Sequence, residues 1–179
     1  MTMPEPSTAG SPFWRFSLQL YRRPGVADAC IALQEEAGAD VNLLLFLLWH
    51  AAQRRALSVE EVAGLEAKVA AWRERAVIPL RAIRRTLKSP QALVEAGDAE
   101  AFRTRIKAVE LEAERLQQEA MYGLLRATPL GQVAPSVAEA ARANVGAYAV
   151  SCAMDFAAPA VEVLFAGLLA TSGEMNPEG

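Results

Sequence analysis

The sequence DVNLLLFLLWHAAQRR, from Asp40 to Arg55, decides the fold. The segment is long enough for a helix, and its apolar residues lie on every side of that helix rather than along one stripe. A helix that is apolar on all sides has to be buried on all sides. The rest of the chain is therefore predicted to pack around a central helix over residues 40–55, with Asp40 as its N-cap.

The composition favours a single all-α domain. The chain has 179 residues, of which 53% are apolar, and this is enough to form one buried core. Ala, Leu, Glu and Arg are abundant, whereas β-branched and aromatic residues are few, which favours helices over strands. We expect about seven helices in one domain over residues 11–170, with a disordered N-terminus at residues 1–10 and a flexible tail at residues 171–179.

Two long helices are predicted to form an antiparallel pair. Ser58 and Glu61 have the spacing of a capping box, which opens a helix over residues 58–88. Its apolar stripe passes through Pro79 without losing phase, so the pattern predicts one helix with a bend rather than two unrelated helices. A short link joins it to a second helix over residues 98–127, and a short link favours antiparallel packing.

The second helix of this pair has an apolar stripe with the spacing of a coiled-coil seam. This stripe predicts the face that the helix buries. It contains no Asp or Glu, whereas a carboxylate-bridged metal site needs such side chains to point inward from several helices, so no metal site is predicted. The stripe consists of Phe102, Ile106, Val109, Ala113, Leu116, Ala120 and Leu124.

No catalytic or cofactor motif is present in the sequence. The chain has a single histidine and lacks the motifs of serine hydrolases, zinc proteases, dinucleotide-binding folds and P-loop enzymes. We therefore expect no cofactor and no metal. The sequence favours a non-enzymatic protein without excluding an enzyme.

The chain has no pattern that indicates export or a membrane span. The N-terminus lacks the basic start and apolar run of a secretion signal, and the apolar run Val41–Ala52 is shorter than a span of about 20 residues. Cys30 and Cys152 lack metal-ligand spacing and are predicted to be reduced and unpaired. These features predict a cytoplasmic protein.

Asn42, Trp49, His50 and Arg81 are the candidate ligand-binding residues. Asn42 and Trp49 are seven residues apart and share a face of the central helix, and His50 follows Trp49. An amide and an imidazole in an apolar helix need hydrogen-bond partners, because an unpaired buried polar group costs about 1–3 kcal/mol. These residues either have structural roles, with His50 near solvent, or form a ligand pocket or a general base. Arg81 would turn inward just after Pro79 and complete such a pocket.

The segment 72–88 is strongly basic, with six basic residues against one Glu, whereas the whole chain has a net charge of −3. On a helical wheel, Arg73, Arg84 and Lys88 lie with Arg81 along one border of the apolar stripe. This border is either a solvated helix face or a docking surface for an acidic patch on a partner protein. A small anion or nucleic acid is a third interpretation, and nucleic acid is disfavoured because the border lacks interleaved aromatic residues.

Three segments of the chain resemble a bacterial protein family. They are FW–SL–LY–PGV in residues 13–26, GADVNLLLFLLW in residues 38–49, and W–VIPLR–IRRTLK in residues 72–88. Together they look like a family of small bacterial helical proteins characterised only as a domain of unknown function, with the likeness extending from Phe13 to about Leu125. The resemblance implies a cytoplasmic bacterial protein and carries over no catalytic residue. It also implies a shared pattern that includes Trp14, Tyr21, Pro24, Gly25, Asp40, Asn42, Trp49, Pro79 and Arg81.

The sequence favours an interaction protein, either an adaptor or a regulatory subunit, because it lacks a catalytic constellation and has basic residues along one helix border. The alternative is a small-molecule-binding protein or enzyme with a pocket at the candidate ligand-binding residues. A second alternative is nucleic-acid binding through the basic border. A buried polar cavity that reaches both Asn42 and Arg81 would favour the pocket, whereas an exposed apolar patch beside Arg84 and Lys88 would favour a partner protein.

Overall fold

The computed structural model describes residues 10–90, 92–125 and 129–175, and most of them lie in helices. A π-helical turn, Arg73–Val77, joins α4 to α5. Counted as one rod with this turn, α4 and α5 bring the described helices to seven, which confirms the predicted all-α class. Among the described helices, none is both long and apolar enough to cross a membrane. The helices are α1 (Pro12–Tyr21), α2 (Val26–Ala37), α3 (Val41–Ala52), α4 (Val59–Trp72), α5 (Ile78–Thr86), α6 (Ala96–Leu124), α7 (Val137–Ser151) and α8 (Ala158–Met175).

Helix α3 occupies the centre of the core. The six residues from Leu43 to Leu48 are all buried, and Phe46 has no exposed surface. The Asp40 carboxylate accepts hydrogen bonds from the backbone N–H groups of Asn42 and Leu43 and so caps the helix. α7 packs along α3, and α1 and α6 cover other sides of it. The prediction of a buried central helix is confirmed.

Short-range signals in the sequence set several helix ends. The Ser11 side chain accepts a hydrogen bond from the backbone N–H of Trp14 and caps α1. Gly38, with a φ of 73°, closes α2 in the left-handed region that glycine enters without strain. Ser58 and Glu61 each accept a hydrogen bond from the other's backbone N–H, which is the predicted capping box of α4. Each signal acts within about one turn of the helix, so the local sequence is sufficient to determine these helix ends.

The helical backbone continues through Pro79, as predicted. Pro79 lacks the N–H that would bond the Arg75 carbonyl, so the regular ladder is interrupted at this point. The chain accommodates the interruption with a π turn, in which the Ile78 N–H bonds the Arg73 carbonyl five residues earlier. α4 and α5 therefore form one continuous rod with an irregular turn where the sequence predicted a bend.

The predicted buried stripe of α6 is wrong. Three of its large residues are about half exposed, namely Phe102, Val109 and Leu116. The reason is that α6 contacts α1 and α3 as well as α4 and α5, so ion pairs and amide hydrogen bonds to these helices fix its orientation. The face that α6 buries contains polar as well as apolar side chains: Ala99, Glu110, Ala113, Gln117, Gln118 and Met121.

The central helix ends earlier than predicted and leads into a short strand. α3 ends at Ala52 because the chain turns at Arg54, which has a φ of 55°. The following strand, β1 (Arg55–Ala56), pairs antiparallel with β2 (Gln132–Val133). The sequence did not indicate this two-stranded ribbon, because two-residue strands are too short to show a periodic pattern.

The predicted ranges of α6 and α8 also differ from the structure. α6 begins at Ala96 rather than at residue 98, and the end predicted at residue 127 lies outside the described residues. α8 runs to Met175, so the domain end predicted at residue 170 is too early and the first part of the predicted tail is helical. Thr171 is buried in this extension. The predicted disordered N-terminus, apart from Gly10, and the tail beyond residue 175 lie outside the described residues.

Candidate functional site

A cleft of about 670 Å³ lies along one face of α6. Its volume is within the range of about 300–1,000 Å³ that is typical of small-molecule sites. Side chains from α1, α2, α3, α5 and α6 line it, so five helices converge on one space. We call it the α6 cleft, because one wall is the α6 face formed by Lys107, Glu110, Leu111, Glu114 and Gln118.

Helical spacing explains how these side chains come to share a wall. The lining residues of α6 recur at intervals of three and four, which places them on one face of the helix. Arg81, Arg84, Arg85 and Lys88 follow the same rule at the end of α5 and just beyond it, and they form a second wall. The two walls therefore correspond to a helical periodicity in the sequence, and it is the polar residues rather than the apolar ones that show it.

Arginine–glutamate pairs join the two walls. The Arg81 guanidinium donates from Nε to Glu110 Oε1 at 3.1 Å and from Nη2 to Glu114 Oε1 at 2.9 Å. Arg84 also donates to both oxygens of Glu110. Burial raises the pKa of Glu114 and favours its uncharged form, although the adjacent Arg81 acts in the opposite direction. These pairs fix both arginines beside the open space.

The outer part of the cleft carries an excess of positive charge. Its lining contains six basic and three acidic side chains. Arg85 pairs with Glu35, at 2.6 Å from Nη2 to Oε1. Arg22, Lys88 and Lys107 form no ion pair with any residue in the described part of the chain. Three cations are therefore available to a ligand.

The cleft has a polar end that contrasts with this cationic rim. We define the polar end as Ser17, Asn42 and Gln118, all of which are buried. The Gln118 amide donates from Nε2 to Asn42 Oδ1 at 2.8 Å. Within the described residues, Ser17 Oγ and Gln118 Oε1 have no hydrogen-bond partner. Native proteins rarely leave buried polar atoms unpaired, so these two atoms need an explanation.

The structure brings together two of the four predicted ligand-binding residues. Asn42 lies at the polar end of the cleft, and Arg81 lies in the wall next to it. The cleft therefore reaches both residues, as a pocket would, but it is open to solvent rather than a buried polar cavity. Trp49 and His50 do not line it.

Trp49 and His50 belong to an aromatic cluster in the core. The Trp49 ring lies 5.9 Å from the Phe46 ring and 5.8 Å from the Tyr122 ring, measured between centroids. The His50 Nδ1 lies 2.9 Å from the Phe46 carbonyl oxygen. Burial lowers the pKa of His50 and keeps the imidazole uncharged. The expectation that His50 lies near solvent is wrong, because a backbone carbonyl satisfies the ring within the core.

The three predicted partner-binding residues occupy different environments. Arg73 binds both oxygens of Glu66 and lies 3.3 Å from Asp40 Oδ2, away from the cleft. Arg84 is paired within the cleft, and Lys88 lies at its rim. Their role in partner binding stays a prediction, but only Lys88 of the three is without an ion pair to a described residue.

The sequence did not identify the residues that complete the cleft. Glu110, Glu114 and Gln118 recur every four residues, which is the sequence signal of a polar helical face. Ser17 lacks such a signal, because it is one hydroxyl in an apolar helix. Within the described residues, no group of three His, Cys, Asp or Glu side chains is placed to bind a metal ion.

Comparison with known families places this cleft in a family domain. A family model described as a protein of unknown function (DUF2390) matches residues 12–121, more than half of the chain, and the chain belongs to that family. All residues that line the α6 cleft lie within the matched range. Comparisons with curated proteins and with solved structures found no match.

Proposed function

We propose that this member of the family binds a small amphipathic anion in the α6 cleft. The observation that supports the proposal is the convergence, around one space, of Asn42 and Arg81 with three cations that form no ion pair with a described residue. The residues that line this space include no histidine or cysteine, so binding rather than covalent catalysis is proposed.

The charge of the lining favours an anionic group at the rim. Lys88 follows α5 and Lys107 belongs to α6, and both are exposed and unpaired among the described residues. Lysine ammonium groups attract a carboxylate or phosphate as point charges with flexible reach. Because Arg81 and Arg84 pair with Glu110 and Glu114, these acidic residues oppose this attraction less than their number suggests.

The apolar part of the lining favours a ligand with a hydrocarbon body. Trp14, Leu18, Ile31, Leu45 and Leu111 contribute to the cleft from four helices. Ile31 is 43% exposed and Leu111 is 52% exposed, so the cleft presents apolar surface that a ligand could cover. An amphipathic ligand would bury this surface and place its charge among the lysines.

Calorimetric titration with dodecanoate tests this proposal. We expect saturable binding to the wild-type protein and at least about tenfold weaker binding to the double variant Lys88→Glu/Lys107→Glu, because the variant replaces attraction with repulsion at the rim. The matched control is Lys68→Glu/Arg142→Glu, which makes the same change in net charge at two exposed positions outside the cleft. Equal weakening in both variants, or no binding to the wild type, would refute the proposal.

Binding of a protein partner with an acidic patch is the second candidate. Ile83, beside Arg84, is 45% exposed, and Lys88 has no ion pair within the described residues. The double variant Ile83→Ser/Lys88→Glu should then lose a partner captured from cell extract.

A cytoplasmic location is part of the proposal, and the free thiols of Cys30 and Cys152 support it.

A further inference from the structure

We infer that a second copy of this chain packs against an exposed apolar stripe of α6, so that the protein forms a two-fold symmetric dimer. We define the exposed stripe as Phe102, Val109 and Leu116. The two α6 helices would lie antiparallel, with Val109 on the two-fold axis. The inference goes beyond the proposed function and does not depend on it, because none of the three residues lines the α6 cleft.

The described part of the chain leaves the exposed stripe largely uncovered. Phe102, Val109 and Leu116 recur every seven residues, which keeps them on one face of α6 over about 21 Å. They are 45%, 52% and 44% exposed. Trp72, itself 42% exposed, lies beside this face, because its Nε1 donates to the Ala113 carbonyl at 2.9 Å. A cluster of large apolar residues at the surface commonly marks a protein interface.

The spacing of the exposed stripe is self-complementary. Phe102 and Leu116 each lie seven residues from Val109, so a two-fold axis through Val109 brings Phe102 of one copy against Leu116 of the other. The same axis brings the two Val109 side chains together. A spacing of seven residues is also that of a coiled-coil seam, in which such side chains interdigitate. Self-association requires this symmetry, whereas binding of a different protein does not.

The charges beside the exposed stripe fit the same axis. Arg105 and Glu112 lie on one flank of the stripe, and their midpoint is about half a residue from Val109. Residues on the same flank face each other when two helices pair antiparallel, so Arg105 of each copy would reach Glu112 of the other. Both side chains are exposed, and the Arg105 guanidinium lies 5.5 Å from the centroid of the Phe102 ring. The charges therefore favour a second copy in the antiparallel orientation.

The outer positions on this flank oppose association, and the interface is small. Asp98 of one copy would lie near Glu119 of the other at each end of the seam. Glu119 is turned toward α1, however, because it accepts a hydrogen bond from the Ser11 N–H at 2.8 Å. Three large apolar residues from each copy correspond to the low end of interface sizes, so we expect a dissociation constant of about 10 μM.

Sedimentation of the full-length protein measures the association. The wild type should be mainly dimeric at about 200 μM and mainly monomeric at about 1 μM. Val109→Lys should weaken the dimer at least about tenfold, because it places two like charges together on the axis. Val150→Lys is the matched control and should leave the dimer unchanged, since Val150 is 69% exposed on α7, outside the exposed stripe.

Two results of this experiment would overturn the inference. The first is a wild type that stays monomeric at about 200 μM, which would leave this face to a different protein and the proposed function intact. The second is equal weakening by the two lysine variants, which would show that the association does not use the exposed stripe.

Exchange of charges tests the antiparallel arrangement. Arg105→Glu and Glu112→Arg should each weaken the dimer by about threefold or more, because each variant places like charges together on both sides of the axis. The double variant Arg105→Glu/Glu112→Arg should restore the wild-type affinity to within about twofold, since it exchanges the two partners of each intermolecular pair. A double variant that associates no more tightly than the single variants would overturn the antiparallel arrangement.

Discussion

Helices α3 and α6 both contribute to the core, but they bury different kinds of side chain. α3 buries an unbroken apolar run from Leu43 to Leu48, whereas α6 buries Glu110, Gln117 and Gln118. At the same time α6 leaves Phe102 45% exposed. The first helix gains stability from burying this apolar run, whereas the second incurs a desolvation cost for its buried polar groups.

The difference shows that polar contacts as well as hydrophobicity decide which face of a helix is buried in this protein. The polar face of α6 is held by Arg81 and Arg84, and its Gln118 oxygen remains unpaired within the described residues. A helix selected only for packing would turn its apolar stripe inward. Functional sites commonly retain such stability costs because their polar groups serve a ligand.

The largest effect is expected in the apolar helix. Phe46→Ala should lower the free energy of unfolding by about 3–5 kcal/mol, because the ring is fully buried and its removal leaves a cavity. Phe102→Ala, on the exposed side of α6, is the matched control and should cost less than about 1 kcal/mol. Urea denaturation measures both. Similar losses for the two variants would remove the contrast between the helices.

The charged face of α6 should show an intermediate effect. Glu110→Gln should cost about 1–3 kcal/mol, because it leaves the partly buried Arg84 without a charged partner and leaves Arg81 with Glu114 alone. Glu112→Gln is the control on the same helix, since Glu112 pairs with Arg115 at the exposed surface and should contribute about 0–0.5 kcal/mol. Equal costs would mean that the cleft pairs are no stronger than surface pairs.

The sequence was sufficient for α3 because all of its information is local. A helix with apolar residues on every side has to be buried on every side. The capping side chains of Asp40 and Ser58 act within one turn. The orientation of α6 depends instead on contacts with distant segments. Arg81 and Glu110 are 29 residues apart, and nothing in either local sequence selects the other.

The candidate site could be predicted only in part for the same reason. Asn42 and Arg81 were found because a polar residue in an apolar helix and an arginine after a proline are unusual locally. His50 was equally unusual, but the Phe46 carbonyl one turn earlier satisfies it. The unpaired atoms of Ser17 and Gln118 are properties of the packed structure, so the sequence alone does not show them.

The pH dependence of stability at His50 gives a test of burial in α3. Because burial lowers the pKa of His50 from 6.5, the unfolded chain takes up a proton before the folded protein does. The stability that neutral His50 contributes is complete above pH 6.5 and is lost as the pH falls through its lower folded-state pKa. The stability difference between the wild type and His50→Gln, measured by urea unfolding, should therefore narrow as the pH falls below 6.5. A constant difference would contradict a buried, neutral imidazole.

The double variant Lys88→Glu/Lys107→Glu tests most directly whether the α6 cleft binds an anion. Both lysines are exposed and form no ion pair within the described residues, so the substitutions should change the free energy of unfolding by less than about 1 kcal/mol. The same variant should bind dodecanoate at least about tenfold more weakly than the wild type. A stability loss above about 3 kcal/mol with unchanged binding would show that the lysines are structural and would contradict the account.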